Sequence, residues 1–304
     1  MLLVIEQFLN GLQLGITLFL MSAGLTLVFG IMQVINLAHG SFYMIGAYVG
    51  ATVAAASGSF LLGVAAALPA AALCGMVVEF VVLRRLYERE HLDQVLATFG
   101  LIMFFNELTR IIWGRQPLFM EVPLWLGGSV ELLPGLVYPV YRLAVIGVGL
   151  AVAVSLWALF AKTRLGMQIR AGGVNRKMVG ALGVNIKLLY TLVFGLGTLL
   201  AGLAGVMAGP ILAVESGMGE SILILTFVVI VIGGIGSIRG AVAGAVLVGL
   251  VDTLGRAFLP AVFRMLFDSS TADSVASSLA SMAIYILMAA VLVVKPKGLF
   301  PAHS

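Results

Sequence analysis

The sequence predicts an all-α polytopic membrane protein of about eight transmembrane helices, with one or two broken or re-entrant segments and a weak internal repeat. Three observations lead there. Of the 304 residues, 62% are hydrophobic and only 10% charged, against about 25% charged in soluble domains, and the mean hydropathy is +1.16. Apolar runs recur along the chain at lengths near the roughly 20 residues that cross hydrocarbon as a helix. The runs are unbroken, unlike the short alternating segments of an outer-membrane barrel. A chain of this length and texture reads as one transmembrane domain over 1–304.

Taken in order, the runs fall at about 11–35, 40–57, 60–83, 92–113, 137–161, 188–214, 221–259 and 276–294. Glu6 stands before the first run and no Lys or Arg does, unlike a cleaved signal peptide. The N-terminus is therefore expected to stay as part of the first span. Cys74 is the lone cysteine, so no disulfide forms within the chain. Between 114 and 136, Pro117, Pro123, Pro134, Glu121 and Glu131 predict an exposed loop. The stretch 221–259 is too long for one crossing. Its break, Gly233-Gly234-Ile235-Gly236-Ser237-Ile238-Arg239-Gly240, predicts two helices or a pair of half-helices.

The charge is concentrated. Lys162, Arg164, Arg170, Arg176, Lys177 and Lys187 are six of the seventeen basic residues, and the segment 162–187 that they define holds no Asp or Glu. With Arg84, Arg85 and Arg89, and then Lys295 and Lys297, it forms three basic loops, all cytoplasmic by the positive-inside rule. Even numbers of crossings separate them, so the parity closes. The net charge of +4 is thereby orientation, not a nucleic-acid surface. The side of the N-terminus stays open, since it turns on whether 40–57 crosses or re-enters.

Residues 25–40 echo 225–240. Leu25/Leu225, Thr26/Thr226, Val28/Val228, Ile35/Ile235 and Gly40/Gly240 are identical, and in each copy an apolar run breaks at a small, polar patch. Paired breaks in corresponding halves point to a central pathway. Asn36, His39, Gly40 and Ser41 in the first break, and Gly234, Gly236 and Gly240 in the second, are the candidate pathway residues. Non-helical backbone at membrane depth must be buried in protein or line a wet cavity. The alternative is a short surface loop, with Asn36 or Ser41 as N-cap of the next helix. A metal role for His39 is not expected, because His91 and His303 offer no ligand spacing.

The run Gly234 to Gly240 is not a dinucleotide fingerprint: its third glycine comes one residue late and it lies in a span, not a βαβ unit. Gly236, Gly240 and Gly244, with Gly205/Gly209, Gly46/Gly50 and Gly11/Gly15, instead give small-xxx-small stripes for close helix approach. Arg239 belongs near an interface or beside a partner such as Asp252. Glu79 near Arg84 suits snorkelling at a helix end, and Glu107 with Arg110 a surface pair. No GxxxxGK[ST], HExxH or GxSxG occurs, so no catalytic centre and no ATP-binding P-loop is predicted in this chain.

Within the basic segment, Met167, Arg170 and Ala171, then Met178, Leu182 and Val184, give an irregular amphipathic helix with a glycine stop. Together with Gly30-Ile31-Met32-Gln33-Val34-Ile35-Asn36-Leu37-Ala38-His39-Gly40, Tyr43-Met44-Ile45-Gly46-Ala47-Tyr48, Gly233-Gly234-Ile235-Gly236-Ser237 and Pro296-Lys297-Gly298-Leu299-Phe300, this segment makes nearly the whole chain resemble the permease subunits of branched-chain amino acid ABC transporters, the smaller of the two. The resemblance implies a bacterial inner-membrane location, a second homologous permease, two cytoplasmic ATPases that bind the ATP and Mg, a periplasmic substrate-binding protein, and no cofactor in this chain. It makes 162–187 the coupling segment, with Arg170, Asn175, Arg176, Lys177, Gly180 and Gly183 against the ATPase. Gly172-Gly173 departs from a regular coupling helix. The wider family includes permeases for urea, short amides and small carboxylates. A self-sufficient secondary transporter or channel is the alternative class, and would need carboxylates buried within the spans.

Overall fold

The structure, a computed structural model, describes residues 2–34, 36–265 and 268–301; His303 and Ile35 lie outside them. Eleven α-helices occur among these residues, in the order α1 (Leu2–Met32), α2 (His39–Ser57), α3 (Phe60–Val81), α4 (His91–Trp113), α5 (Val140–Lys162), α6 (Arg164–Val174), α7 (Arg176–Ala181), α8 (Ile186–Ala208), α9 (Met218–Gly233), α10 (Ile238–Phe263) and α11 (Ser269–Val294). Seven are long and apolar enough to cross a membrane: α1, α3, α4, α5, α8, α10 and α11. The 40–57 run forms the continuous helix α2, which falls outside that set. Its first thirteen residues, His39 to Ala51, are almost all buried, so protein rather than lipid surrounds it and its Ser, His and Tyr side chains are tolerated.

Two element boundaries differ from the sequence reading. The first helix starts at Leu2 rather than near 11, because Glu6, Gln7, Asn10 and Gln13 sit on a helix without interrupting it; its 31 residues span about 46 Å. Between α4 and α5 the expected loop contains a hairpin, β1 (Ser129–Leu133) against β2 (Leu136–Pro139), antiparallel. Its strands carry Val and Tyr, and its turn is Pro134-Gly135, with Gly135 at φ +84°. The expected start of the following span at 137 accordingly moves to Val140.

The chain divides into two compact units. One holds Ala23–Pro123 and Ala151–Ile224. Its centre is α2, α3 and α8, joined along the predicted glycine stripes: a Cβ on Gly46 would stand 2.5 Å from the Gly202 carbonyl oxygen, and one on Gly50 would run into Val206. Phe42, Tyr43, Tyr48 and Phe194 fill the space around this seam. Trp113 closes one end, stacking on Tyr48 at 4.9 Å and donating to the Thr52 hydroxyl at 2.7 Å.

The other unit holds Met1–Ser22, Leu124–Leu150 and Leu225–Ser304. Here α10 packs on α11 and, through Gly249, on the Gly11/Gly15 face of α1. The long run 221–259 is indeed two helices, α9 and α10, hinged at 234–237. Gly240 and Gly244 bring α10 against Gly233 and Val229 of α9. Gly236 is not on that stripe; it lies in the turn at φ +81°. Arg239 is exposed at the first turn of α10, and Asp252 pairs instead with Arg256, 2.9 Å away and one turn on, since thirteen residues along a helix separate 239 from 252 by about 20 Å.

Candidate translocation and coupling site

Both sequence-predicted breaks exist. The first follows Met32, where Gln33 ends α1 in the left-handed region at φ +54°. That conformation disfavours a residue bearing Cβ, so the break is held by its surroundings rather than by local preference. Asn36 is fully buried and forms an Asx turn, its Oδ1 accepting from the Ala38 N–H at 3.1 Å. Ala38, not Asn36 or Ser41, is the N-cap of α2, because the Asn36 carbonyl side chain is spent one residue earlier. Among the described residues the Asn36 Nδ2 group, also buried, has no hydrogen-bond partner. His39 is buried too, its ring edge-on to Phe42 and its Nε2 against Gly24 of α1.

One turn into α2 the backbone itself becomes the contact surface. Gly40 lies directly on Gly219 of α9, so closely that a Cβ on either would overlap the other's carbonyl. Beside this contact Ser41, Met44, Ile102, Asn106, Glu220 and Leu223 border a crevice too narrow to hold a water molecule. Asn106 donates to the Glu220 carboxylate at 2.5 Å, and the Asn106 carbonyl accepts from the Ser216 hydroxyl at 3.3 Å. Asn36, His39, Gly40 and Ser41 are thus gathered in one unit. The sequence reading missed Asn106 and Glu220, although an acid bordering an apolar run was a visible signal.

Gly234, Gly236 and Gly240 belong to the other unit. Gly234 adopts φ +108° and lies under the C-terminal tail: a Cβ on Gly298 would stand 2.5 Å from the Gly234 Cα. Leu299 N–H donates to the Ile232 carbonyl and Phe300 N–H to that of Gly233, both at 2.9 Å. The tail thereby satisfies carbonyls that the end of α9 leaves open. Ser237 caps α10, its hydroxyl accepting from Gly240 N–H at 3.1 Å.

The basic segment forms two helices rather than one. Thr163 caps α6 by accepting from Gly166 N–H; Asn175 ends α6 and caps α7 by accepting from Met178 N–H at 3.0 Å; Asn185 caps α8. Helix α6 runs through Gly172-Gly173 to Val174 despite their low helix propensity, and Gly173 is where the Gly30 carbonyl at the end of α1 approaches. Nearby the Tyr190 hydroxyl donates to the Ile31 carbonyl at 3.4 Å. The segment therefore rests directly on the end of α1 that leads into the first break.

The apolar residues of the segment divide between a buried and an exposed side. Ile169 and Val179 are the buried positions, whereas Met167, Val174, Met178 and Leu182 are 59–79% exposed. Asn175, Arg176, Lys177, Gly180 and Gly183 are exposed with them, and exposed Arg170 hydrogen-bonds the Phe160 carbonyl. Gly183 stands at φ +88° where the chain turns into α8.

Next to this segment, Glu79 is completely buried rather than snorkelling. Its oxygens accept from Arg84 at 3.1 and 3.3 Å, from the Tyr87 hydroxyl at 2.5 Å and from Thr191 of α8 at 2.7 Å. Burial pushes the Tyr87 phenol above its usual range, and its hydrogen bond to Glu79 adds to the shift. Glu107 and Arg110 form the expected exposed pair, at 2.6 Å.

Apolar spans, a buried helix break and an exposed basic segment define a multi-pass membrane permease. Residues 7–294 match the family described as the permease component of branched-chain amino acid transport systems, and the chain belongs to that family. It is 30% identical over 274 residues to the high-affinity branched-chain amino acid transport permease LivH of Salmonella typhimurium, covering 86% of this chain and 88% of the relative. It is likewise 30% identical over 265 residues to BraD of Pseudomonas aeruginosa, another such permease, covering 83% and 86%. Similarity extends to the ribose import permease RbsC of Escherichia coli K12, at 27% over 261 residues, covering 82% and 77%. No solved structure matches.

Proposed function

We propose that this chain is the transmembrane permease subunit of a binding-protein-dependent ABC importer for branched-chain or other hydrophobic amino acids, in the bacterial inner membrane. It works with a second related permease, two cytoplasmic ATPases and a periplasmic binding protein. The observation that carries this reading is the outer face of α6–α7, where Met167, Val174, Met178 and Leu182 stand in water among Arg170, Arg176 and Lys177. An apolar patch rimmed by charge on a short surface helix pair is a docking face. The chain has no P-loop of its own, so an ATPase is the partner it lacks. The names of the relatives support the substrate class.

The mechanism follows from the contacts. Movement of an ATPase reaches α6, which bears through Gly173 on Gly30 and hence on the break at 33–38. In the described state the Gly40–Gly219 contact and the Asn106–Glu220 bond close the crevice. Passage requires α2 and the start of α9 to part there, and Asn36, His39 and Ser41 are the polar groups then uncovered. Gly234, Gly236 and Gly240 hinge the second break under the tail.

Charge reversal of Arg176→Glu with Lys177→Glu tests the coupling assignment. Both side chains are exposed, so insertion and stability should be unchanged while ATP-driven leucine uptake in vesicles falls at least about tenfold, the loss expected when attraction at a docking face becomes repulsion. Uptake at the wild-type rate would show that α7 does not couple the ATPase.

A further inference from the structure

The unit that holds Met1–Ser22, Leu124–Leu150 and Leu225–Ser304 contains a polar feature that neither break nor coupling segment uses. An open recess of about 440 Å³ lies between α1, α5 and α10, lined chiefly by Gln7, Asn10, Gln13, Arg142, Asp252 and Arg256. Its size falls within the roughly 300–1,000 Å³ of small-molecule sites. Its chemistry is unusual for a chain with 10% charged residues. Arg142 stands in the first turn of α5, at the end opposite Lys162. Asp252 and Arg256 lie in the second half of α10, away from the end that meets the Lys297 tail. With the basic loops cytoplasmic, the recess opens toward the outer face.

Its groups are arranged, not scattered. Asn10 is the hub: its Oδ1 accepts from the Tyr138 hydroxyl at 3.1 Å and from Arg142, while its Nδ2 donates to Gln7 Oε1 at 3.4 Å. The amide of Gln7 is thus left with its N–H donors, and that of Gln13, whose Nε2 donates to Thr17 at 3.3 Å, with its carbonyl acceptor. Among the described residues Arg142 has no carboxylate within ion-pair distance. Asp252 is 8% exposed, and Arg256, whose own side chain is 54% exposed, holds it through one Nε bond. A guanidinium fixed on Asn10 with no carboxylate at ion-pair distance can recognise a carboxylate or phosphate; a buried carboxylate whose one ion pair among the described residues is with an exposed arginine can take an ammonium in exchange.

We propose that this recess binds a small zwitterion, with anionic oxygens on Arg142 and Gln7 and the ammonium on Asp252 and Gln13. Two sources carry that chemistry: a free α-amino acid, and the headgroup of phosphatidylethanolamine. The amino-acid source rests on the importer reading above and makes the recess an outer receiving site; the lipid source does not depend on it.

The full chain purified in dodecyl maltoside, which has no charge, tests this. Equilibrium dialysis with labelled leucine reports the first source, and mass spectrometry of phosphatidylethanolamine retained from the membrane reports the second. Binding of either is expected, weakened at least about tenfold in Arg142→Gln and in Asp252→Asn, and unchanged in Glu107→Gln. For leucine, 4-methylpentanoate and 3-methylbutylamine, each lacking one charge, should bind the wild-type chain at least about tenfold more weakly. This arm stands even if the variants fold poorly. Leucine retained without the lipid assigns the amino acid; the lipid without leucine assigns the headgroup. Retention of neither, or retention indifferent to both charges, overturns the proposal. ATP-driven leucine uptake by the wild-type complex reports the importer reading separately, and can succeed while the recess stays empty.

Discussion

Replacing Glu79 by alanine is expected to destabilise the chain by about 3 kcal/mol, the lower end of the 3–5 kcal/mol seen when one partner of a buried ion pair is removed. Every acceptor position on the carboxylate is engaged, by Arg84, Tyr87 and Thr191, and alanine would remove the acceptor of the Tyr87 phenol and the charge partner of Arg84, while the Thr191 hydroxyl keeps the Lys187 carbonyl at 3.0 Å. The Tyr87 phenol loses its acceptor in a part-buried setting. Arg84, whose side chain is 25% exposed and lies over the Phe80 ring at 4.7 Å, can turn partly to water, which places the effect at the lower end. Glu79→Gln keeps the shape and part of the hydrogen bonding and should fall between alanine and wild type. Glu107→Ala, which breaks only an exposed pair, should cost less than about 1 kcal/mol. Thermal unfolding of the purified chains separates these cases; equal melting of E79A and E107A would remove the network from the account. Because Thr191 stands four residues after Lys187, the network also fixes where the basic segment enters α8, so Glu79→Ala should weaken coupling as well as stability.

The glycine seam gives an opposite-sign pair of outcomes. Gly205→Ala should destabilise by about 1–3 kcal/mol, the range for overpacking, because its Cβ would run into the Tyr43 carbonyl, which is backbone and cannot turn away. Helix propensity alone would favour the substitution by about 1 kcal/mol, so a net loss isolates the steric cost. Gly205→Val should be worse. Gly100→Ala in α4, where a Cβ meets nothing within 4 Å, should be neutral or stabilising by up to about 1 kcal/mol. If Gly205→Ala and Gly100→Ala shift melting alike, the close approach of α2 and α8 is wrong.

These sites differ in how far the sequence disclosed them. The breaks after Met32 and Gly233 were legible because Asn and Gly punctuate apolar runs, and the glycine stripes because their spacing of four is the helix period. The Glu79–Thr191 and Asn106–Glu220 bonds were not: partners more than a hundred residues apart leave no local pattern. The tail and the Gly233-Gly234 break were both conspicuous as motifs, yet nothing in either showed that one lies over the other. The amphipathic segment was recognisable, but which of its apolar residues stand in water was not. Periodicity shows that apolar residues share a face; it does not say whether that face is covered by the chain itself or awaits a partner. The recess around Asn10 was hidden by the apolar average of α1, into which four polar residues disappear.

The central claim is that α6–α7 serve an ATPase which the chain does not contain. The most direct test is purification of the tagged chain from its native membrane in mild detergent, with mass spectrometry of the proteins retained. This account predicts two P-loop ATPase subunits and a second, related permease, all lost from the preparation of the Arg176→Glu/Lys177→Glu chain except the permease. A wild-type chain that purifies alone, folded, and moves amino acids into vesicles without ATP would contradict it.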